Sequence, residues 1–264
     1  HSHYSALQEK NALVDPQREL WGQRSSIDLE NPDLSLHLHL SRSEAVLSLD
    51  GSGGSLHRRG YRAAMGVAPI KENLAAGLIR LTGWDGTSPL VDPCCGSGIL
   101  LIEAVLMALQ KAPGLNRSFA LEGWADFEPE LWQQEQERAR HRRRGDLELP
   151  PVIGFEQDPS IADQARANVE AAGLKDLISI HTGGFQDQPL PDGPGVLVCN
   201  PPYGQRIGDE AELEELYRAL GNYTKAKAAG WQLWLLSGNR NLTGALRPQA
   251  EQRIPVSNGG IDGR

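Results

Sequence analysis

The chain has 264 residues, a formal charge of −8 at pH 7 and three cysteines. That length buries a substantial core and suits one large α/β domain with a smaller piece beside it. The acidic balance excludes a generally basic nucleic-acid-coating protein, though not a local basic face, and no apolar run approaches membrane-spanning length. No basic-then-apolar leader opens the sequence. The first residue is His1 rather than Met, as expected of a piece of a longer polypeptide. Cys94, Cys95 and Cys199 lack metal-ligand spacing, so they read as reduced, buried thiols of a cytoplasmic protein, and no metal is assigned.

In the first sixty residues, Asn31-Pro32-Asp33 marks a turn. Leu34, Leu36, Leu38 and Leu40 then alternate with Ser35, His37 and His39, which predicts a strand with one apolar face, and Ala45 to Leu49 predicts a second. His37 and His39 share the polar face but have no cluster of acids or thiols near them in sequence, so they are read as inert. Two such strands are too little sheet to be stable alone. Gly51-Ser52-Gly53-Gly54 is read as a flexible joint. Leu56 to Arg62 then holds Arg58, Arg59, Arg62, His57 and Tyr61, which suits either a phosphate backbone with a base stacked nearby or a solvated loop. Ala68 to Asn73 opens a helix running to about Leu81, with Pro69 at an early position. In its first turn Lys71 suits a carboxylate and Glu72 an ammonium, and ordinary helix-end charge competes with that reading.

A short strand ends at Asp92, followed by the loop Pro93-Cys94-Cys95-Gly96-Ser97-Gly98 and a helix from Ile99 to Ala112 that carries Glu103. Strand, acid, glycine loop and helix describe a nucleotide-type site on the first strand of a doubly wound sheet. The loop has neither the Lys-Ser/Thr of a P-loop nor dinucleotide spacing, which disfavours a pyrophosphate. An acid at the strand end favours an ammonium and hydroxyls instead. Residues 113–150 read as an insertion whose helix, Phe127 to Arg144, ends in a basic run suited either to RNA or simply to a helix terminus. Val152 to Glu156 is a second strand ending in an acid placed to take ribose hydroxyls, and Asp158-Pro159 starts a helix through Ala172. A third strand spans Leu177 to His181, a helix Glu210 to Lys225, a fifth strand Gln232 to Ser237, and a hairpin starts near Arg253.

The fourth strand, Val196-Leu197-Val198, runs into Cys199-Asn200-Pro201-Pro202-Tyr203-Gly204. Consecutive prolines cannot extend a ladder, and their fixed φ stiffens the loop beyond the strand. Asn200 Oδ1 and the Pro201 carbonyl can accept both hydrogens of a planar substrate's amine, while Tyr203 stacks on its ring. Cys199 is expected to point into the core, which argues against a thiolate nucleophile.

With both loops placed, the sequence resembles the class I S-adenosylmethionine-dependent methyltransferases. It is most similar to the bacterial family that methylates the N2 amine of guanine in 23S ribosomal RNA. The likeness rests on Asn31 to Leu34, Leu56 to Arg62, Ala68 to Ala76, Asp92 to Gly98 and Asn200 to Gly204. The Asn-Pro-Pro-Tyr motif is shared with DNA adenine and protein glutamine methyltransferases, whereas Leu56 to Ala76 is more specific to the RNA-modifying branch. The resemblance implies a Rossmann-like, doubly wound, mostly parallel sheet with a C-terminal antiparallel hairpin. Residues 1–55 would be the trailing end of a THUMP RNA-binding domain with its connector, and residues 56–264 the catalytic domain.

It further implies S-adenosylmethionine as cofactor, with Asp92, Cys94, Gly96 and Gly98 lining its methionine portion and Pro69 and Glu72 close by. Glu156 would hold the ribose, and Asp158 would also contact the cofactor. Asn200, Pro201, Pro202 and Tyr203 would hold the guanine, and Asn200 would also border the cofactor. Arg58, Arg59, Arg62 and Arg206 would face RNA. The family's acid after the third strand, which contacts the cofactor's adenine, is replaced here by Gly184, so either Asp187 substitutes or backbone groups make the contact. Alternatives are methylation of transfer RNA guanine or DNA adenine, and a non-catalytic RNA-binding or ribosome-assembly factor.

Overall fold

The computed structural model describes residues 2–42, 44–63, 70–203, 210–258 and 261–263. The chain divides into two compact units, His1–Leu56 with Arg117–Glu135, and His57–Asn116 with Gln136–Arg264.

In the first unit, helix α1 (Ser2–Trp21) precedes a hairpin of β1 (Ser35–Ser41) and β2 (Glu44–Asp50). Helix α1 was not anticipated from sequence, because its apolar residues follow no clear helical stripe. The hairpin is antiparallel in the register Leu36↔Leu49, Leu38↔Leu47 and Leu40↔Ala45, so the alternating leucines share one face. Leu36, Leu40, Leu47 and Leu49 on that face are exposed. The glycine stretch after β2 is not a free joint. Arg117 donates to the carbonyls of Ser52 at 2.9 Å, Gly54 at 3.2 Å and Ser55 at 3.3 Å. The Leu121 N–H reaches the Gly51 carbonyl at 3.1 Å. Residues 117–135, read from sequence as part of an insertion, pack within this unit, where Phe119 meets Trp132 edge-on at 5.4 Å. Helix α4 (Pro129–His141) follows.

The second unit carries a parallel sheet of five strands, β3 (Leu90–Asp92), β4 (Val152–Glu156), β5 (Ser179–Thr182), β6 (Val196–Cys199) and β7 (Gln232–Leu235). Their order is β5-β4-β3-β6-β7. Helices α2 (Glu72–Thr82), α3 (Ile99–Ala108), α5 (Pro159–Ala171), α6 (Glu210–Lys227) and α7 (Arg240–Ala245) accompany it. The central strands β3 and β6 are buried on both faces, which is why they read as continuous apolar runs, while the edge strands β5 and β7 are more exposed. Leu90, Val196 and Val198 belong to one core cluster with α2 and α3, while Val91, Leu197 and Cys199 belong to another with Leu213, Tyr217 and Leu220 of α6. Helix α3 is buried nearly all round, as a helix apolar on every side must be. Helix α2 begins at Glu72, later than the sequence suggested, and Pro69 lies outside the described residues. The short α7 was not anticipated; the Asn239 side chain caps it by accepting from the N–H groups of Asn241 and Leu242. A separate antiparallel pair, β8 (Val256–Asn258) and β9 (Ile261–Gly263), ends the described chain. Among the described residues no helix is long and apolar enough to cross a membrane.

Candidate active site

The strand order turns between β3 and β6. From β3 the chain works outward through β4 to β5, then returns to place β6 on the other side. Connections diverging from adjacent strands leave a crevice at their carboxyl ends. Leu90 pairs with Val196 and Val91 with Leu197, so Asp92 and Asn200 close two neighbouring hydrogen-bonded strands.

On the β3 side the glycine loop folds back on β4. The Cys95 N–H donates to the Phe155 carbonyl at 2.9 Å, and the Gly98 N–H to the Cys95 carbonyl at 2.9 Å. Gly96 and Gly98 take left-handed φ values of 53° and 80°, a conformation that costs other residues energy. The loop packs so closely that a Cβ on Gly154 would sit 2.8 Å from both Cys95 Sγ and Leu101 Cδ1. A glycine inside an apolar strand is the sequence signal for this close approach, and at Gly154 it went unread.

Asp92 is buried and accepts the Cys94 N–H at 3.1 Å on Oδ1. Burial pushes its carboxyl up to about 8; the Cys94 N–H opposes the rise and the Glu156 charge adds to it. A carboxyl so placed gains from a cation. Glu156, at the end of β4, accepts Asp158 N–H on Oε1 at 2.9 Å and Gly96 N–H on Oε2 at 3.1 Å. Each oxygen keeps a lone pair for a hydroxyl. Asp158 uses Oδ1 to cap α5 through the N–H groups of Ser160 and Ile161 and is otherwise exposed. Its Oδ1 thus has a structural task at the start of α5. Cys94 is half-buried and packs against the α6 side of the core.

The basic stretch before α2 differs from expectation. Arg59 Nη2 lies 3.6 Å from Glu103 Oε2, and Tyr61 donates to Glu103 Oε1 at 2.8 Å. Arg62 Nε donates to Glu72 Oε1 at 2.8 Å, and its Nη2 donates to the Ile70 carbonyl. Arg59 and Arg62 therefore turn inward to two buried carboxylates instead of outward to phosphate, because Glu103 and Glu72 need cationic partners where water is excluded. Burial pushes Glu103 up, while the Tyr61 hydroxyl and the Arg59 charge pull it back. Arg58 is exposed, and Arg206 lies outside the described residues. Asn168 of α5, which was not singled out from sequence, accepts the Ala63 N–H at 3.0 Å and donates to the Ser97 carbonyl at 3.1 Å. It joins the end of the basic stretch to the glycine loop.

On the β6 side, Cys199 is buried and its thiol is pushed well up by burial, which disfavours a thiolate. Pro201 is buried, while Pro202 and Tyr203 are half-buried, and Tyr203 packs against the core on the α6 side. Asn200 Oδ1 is buried with no hydrogen-bond donor among the described residues. Glu72 Oε2 is in the same condition. Buried acceptors normally find donors, so these two oxygens, with the raised Asp92, fit a ligand set bringing an ammonium and an amine. Asp187 is exposed and lines a different cavity of about 660 Å³ with Leu190, Lys227 and Trp231. Among the described residues no group of His, Cys, Asp and Glu side chains is arranged to hold a metal.

Comparison with known proteins gives concordant matches. A family model described as "RMKL-like, methyltransferase domain" matches residues 59–264, and a THUMP domain model matches residues 1–50. Slr0064 of Synechocystis sp., which carries the name of an RNA methyltransferase, is 42% identical over 262 residues, covering 99% of this chain and 68% of its own. The ribosomal RNA large subunit methyltransferase K/L of Syntrophotalea carbinolica is 43% identical over 274 residues, covering 100% of this chain but 38% of its own length. Among solved structures, SMU.472, described as a methyltransferase in complex with S-adenosylhomocysteine (SAH), superimposes with a TM-score of 0.87 at 31% identity, covering 96% of this chain and 67% of its own.

Proposed function

Since the chain belongs to the RMKL-like methyltransferase family, whose cofactor is S-adenosylmethionine, we propose that it methylates the exocyclic N2 amine of a guanine in 23S ribosomal RNA. The observation that carries this reading is the buried Asn200 Oδ1, directly after the strand that pairs with that of Asp92 and without a donor among the described residues. An acceptor held in that state suits an N–H donor from a substrate.

Asp92 and Glu72 would take the cofactor's ammonium, the backbone of Gly96 and Gly98 its methionine chain, and Glu156 its ribose hydroxyls. With Gly184 in place of an acid and Asp187 facing elsewhere, adenine recognition falls to backbone groups. When bound, the cofactor supplies an electrophilic methyl on a sulfonium sulfur. The chain's own part is placement. A guanine leaves its stack to enter the crevice, and Tyr203 offers a ring face to it. Asn200 Oδ1 and the Pro201 carbonyl accept the two amine hydrogens, which draws the nitrogen lone pair out of conjugation and aims it at the methyl. Methylation leaves the nitrogen cationic and acidic, so no side chain has to act as a strong base. The stiff Pro201-Pro202 pair and the buried surroundings keep the geometry fixed and water out, which are the main sources of rate here.

The test is transfer of labelled methyl from S-adenosylmethionine to large-subunit RNA by the full chain, followed by nucleoside mass analysis. N2-methylguanosine is expected. N6-methyladenosine, or product formed only on transfer RNA, would refute the assignment.

A further inference from the structure

Arg62 makes two contacts of different kinds. Its Nε donates to Glu72 Oε1 at 2.8 Å, and its Nη2 donates to the Ile70 carbonyl. These contacts bracket the entry to α2, fixing the carboxylate of the helix's first residue from one side and the incoming backbone from the other. The Glu72 side chain is 3% exposed and the Arg62 side chain 16%, so the pair is little screened by water. Arg62 occupies only one oxygen of the carboxylate. The other, Oε2, is buried and has no donor among the described residues. A buried charged oxygen left in that state is costly unless a ligand supplies a donor.

The chain next to Arg62 is anchored to the glycine loop. The Ala63 N–H donates to Asn168 Oδ1 at 3.0 Å, and Asn168 Nδ2 donates to the carbonyl of Ser97, between Gly96 and Gly98, at 3.1 Å. The guanidinium that orients Glu72 is therefore tied, through one buried side chain, to the loop that takes the amino-acid end of the cofactor. A residue that merely neutralised Glu72 would need neither the fork to Ile70 nor this tie.

We infer that Arg62 is a positioning residue for the cofactor's amino-acid end, holding Glu72 so that Oε2 meets the ammonium group. This rests on the reading that S-adenosylmethionine occupies the glycine loop. The basic stretch thereby serves methyl-donor recognition through its last arginine.

The experiment is calorimetric titration of the chain with SAH and with 5′-methylthioadenosine, which keeps the adenosine but lacks the amino-acid end. For Arg62→Met, SAH affinity is expected to fall by about 10- to 100-fold, the range found when the partner that orients a metal ligand is lost. Methylthioadenosine affinity should stay within about twofold of the wild type. Arg62→Lys, which keeps the charge but cannot span both acceptors, should lie between, and it carries the test if Arg62→Met does not fold. Equal losses for both ligands would make Arg62 a purely structural residue and overturn the inference, as would unchanged SAH binding. If the wild type bound neither ligand, the cofactor placement itself would fall, and the inference with it.

Discussion

Replacing Asp92 with asparagine should make the ligand-free protein more stable while weakening its hold on the cofactor. The folded-state carboxyl sits at about 8, against an ordinary value near 3.9. A group raised in this way contributes most below its unfolded value, and the contribution is lost as pH rises toward the folded one. At pH 7 the gap corresponds to about 4 kcal/mol of penalty, from roughly 3 pH units at about 1.4 kcal/mol each. An asparagine escapes that penalty but leaves a buried NH₂ to satisfy, costing roughly 1–3 kcal/mol. A net gain of roughly 1–3 kcal/mol at pH 7 is therefore expected.

The sharper observable is the slope, because the amide cost is constant with pH. Urea unfolding of both proteins at pH 5, 6, 7 and 8 should show the stability difference widening in favour of the variant by about 1.4 kcal/mol per pH unit up to pH 7 and less steeply from there to pH 8. Parallel stability curves would refute the argument, since they would mean that Asp92 titrates alike in both states. The same logic makes SAH binding to the wild type release a proton and strengthen between pH 6 and 8. Asp92→Asn should bind SAH weakly and with that pH dependence flattened.

Two further expectations concern neighbouring strands. Asn200→Ala should lower kcat by about 10²- to 10³-fold, in the range for loss of one positioned polar group in an active site. SAH affinity by calorimetry should hardly change, and full turnover would contradict the assignment of the amine acceptor. Gly154→Ala should destabilise the fold by about 1–3 kcal/mol in urea, because its Cβ would land 2.8 Å from Cys95 Sγ and Leu101 Cδ1. It should weaken SAH binding as well, since the displaced loop is the proposed seat of the cofactor. A variant as stable as the wild type would mean the loop moves aside freely.

The sequence carried the sheet well because its strands announce themselves in two different ways. Leu34 to Leu40 alternates, as side chains on opposite faces of a strand do, although its leucine face is largely exposed, while Leu90-Val91 and Val196 to Val198 are continuous, as strands packed on both faces must be. The acids ending β3 and β4 and the amide after β6 were visible for the same reason, since each comes directly after an apolar run. Arg59 and Arg62 were harder. A dense basic stretch reads identically whether it faces phosphate or two carboxylates, and Glu103, the partner of Arg59, lies 44 residues away in number on a helix buried nearly all round. Gly51 to Gly54 likewise looks like loose chain until Arg117, supplied from a distant segment, fastens its carbonyls. Gly154 and Asn168 do their work through neighbours that only folding brings near, one by having no side chain and the other by bridging two backbone stretches.

The reversal of strand order at β3 and β6 also divides responsibility along the chain. The side chains proposed for the methyl donor's ammonium and ribose, Glu72, Asp92 and Glu156, lie on segments that precede Asn200 by dozens of residues, whereas the surface proposed for the acceptor comes from one short connection after β6. The two halves are joined at the crevice by a ladder of main-chain hydrogen bonds, which is indifferent to side-chain identity. Such a scaffold can be retuned toward another nucleobase by rewriting a handful of codons downstream, leaving the donor chemistry untouched.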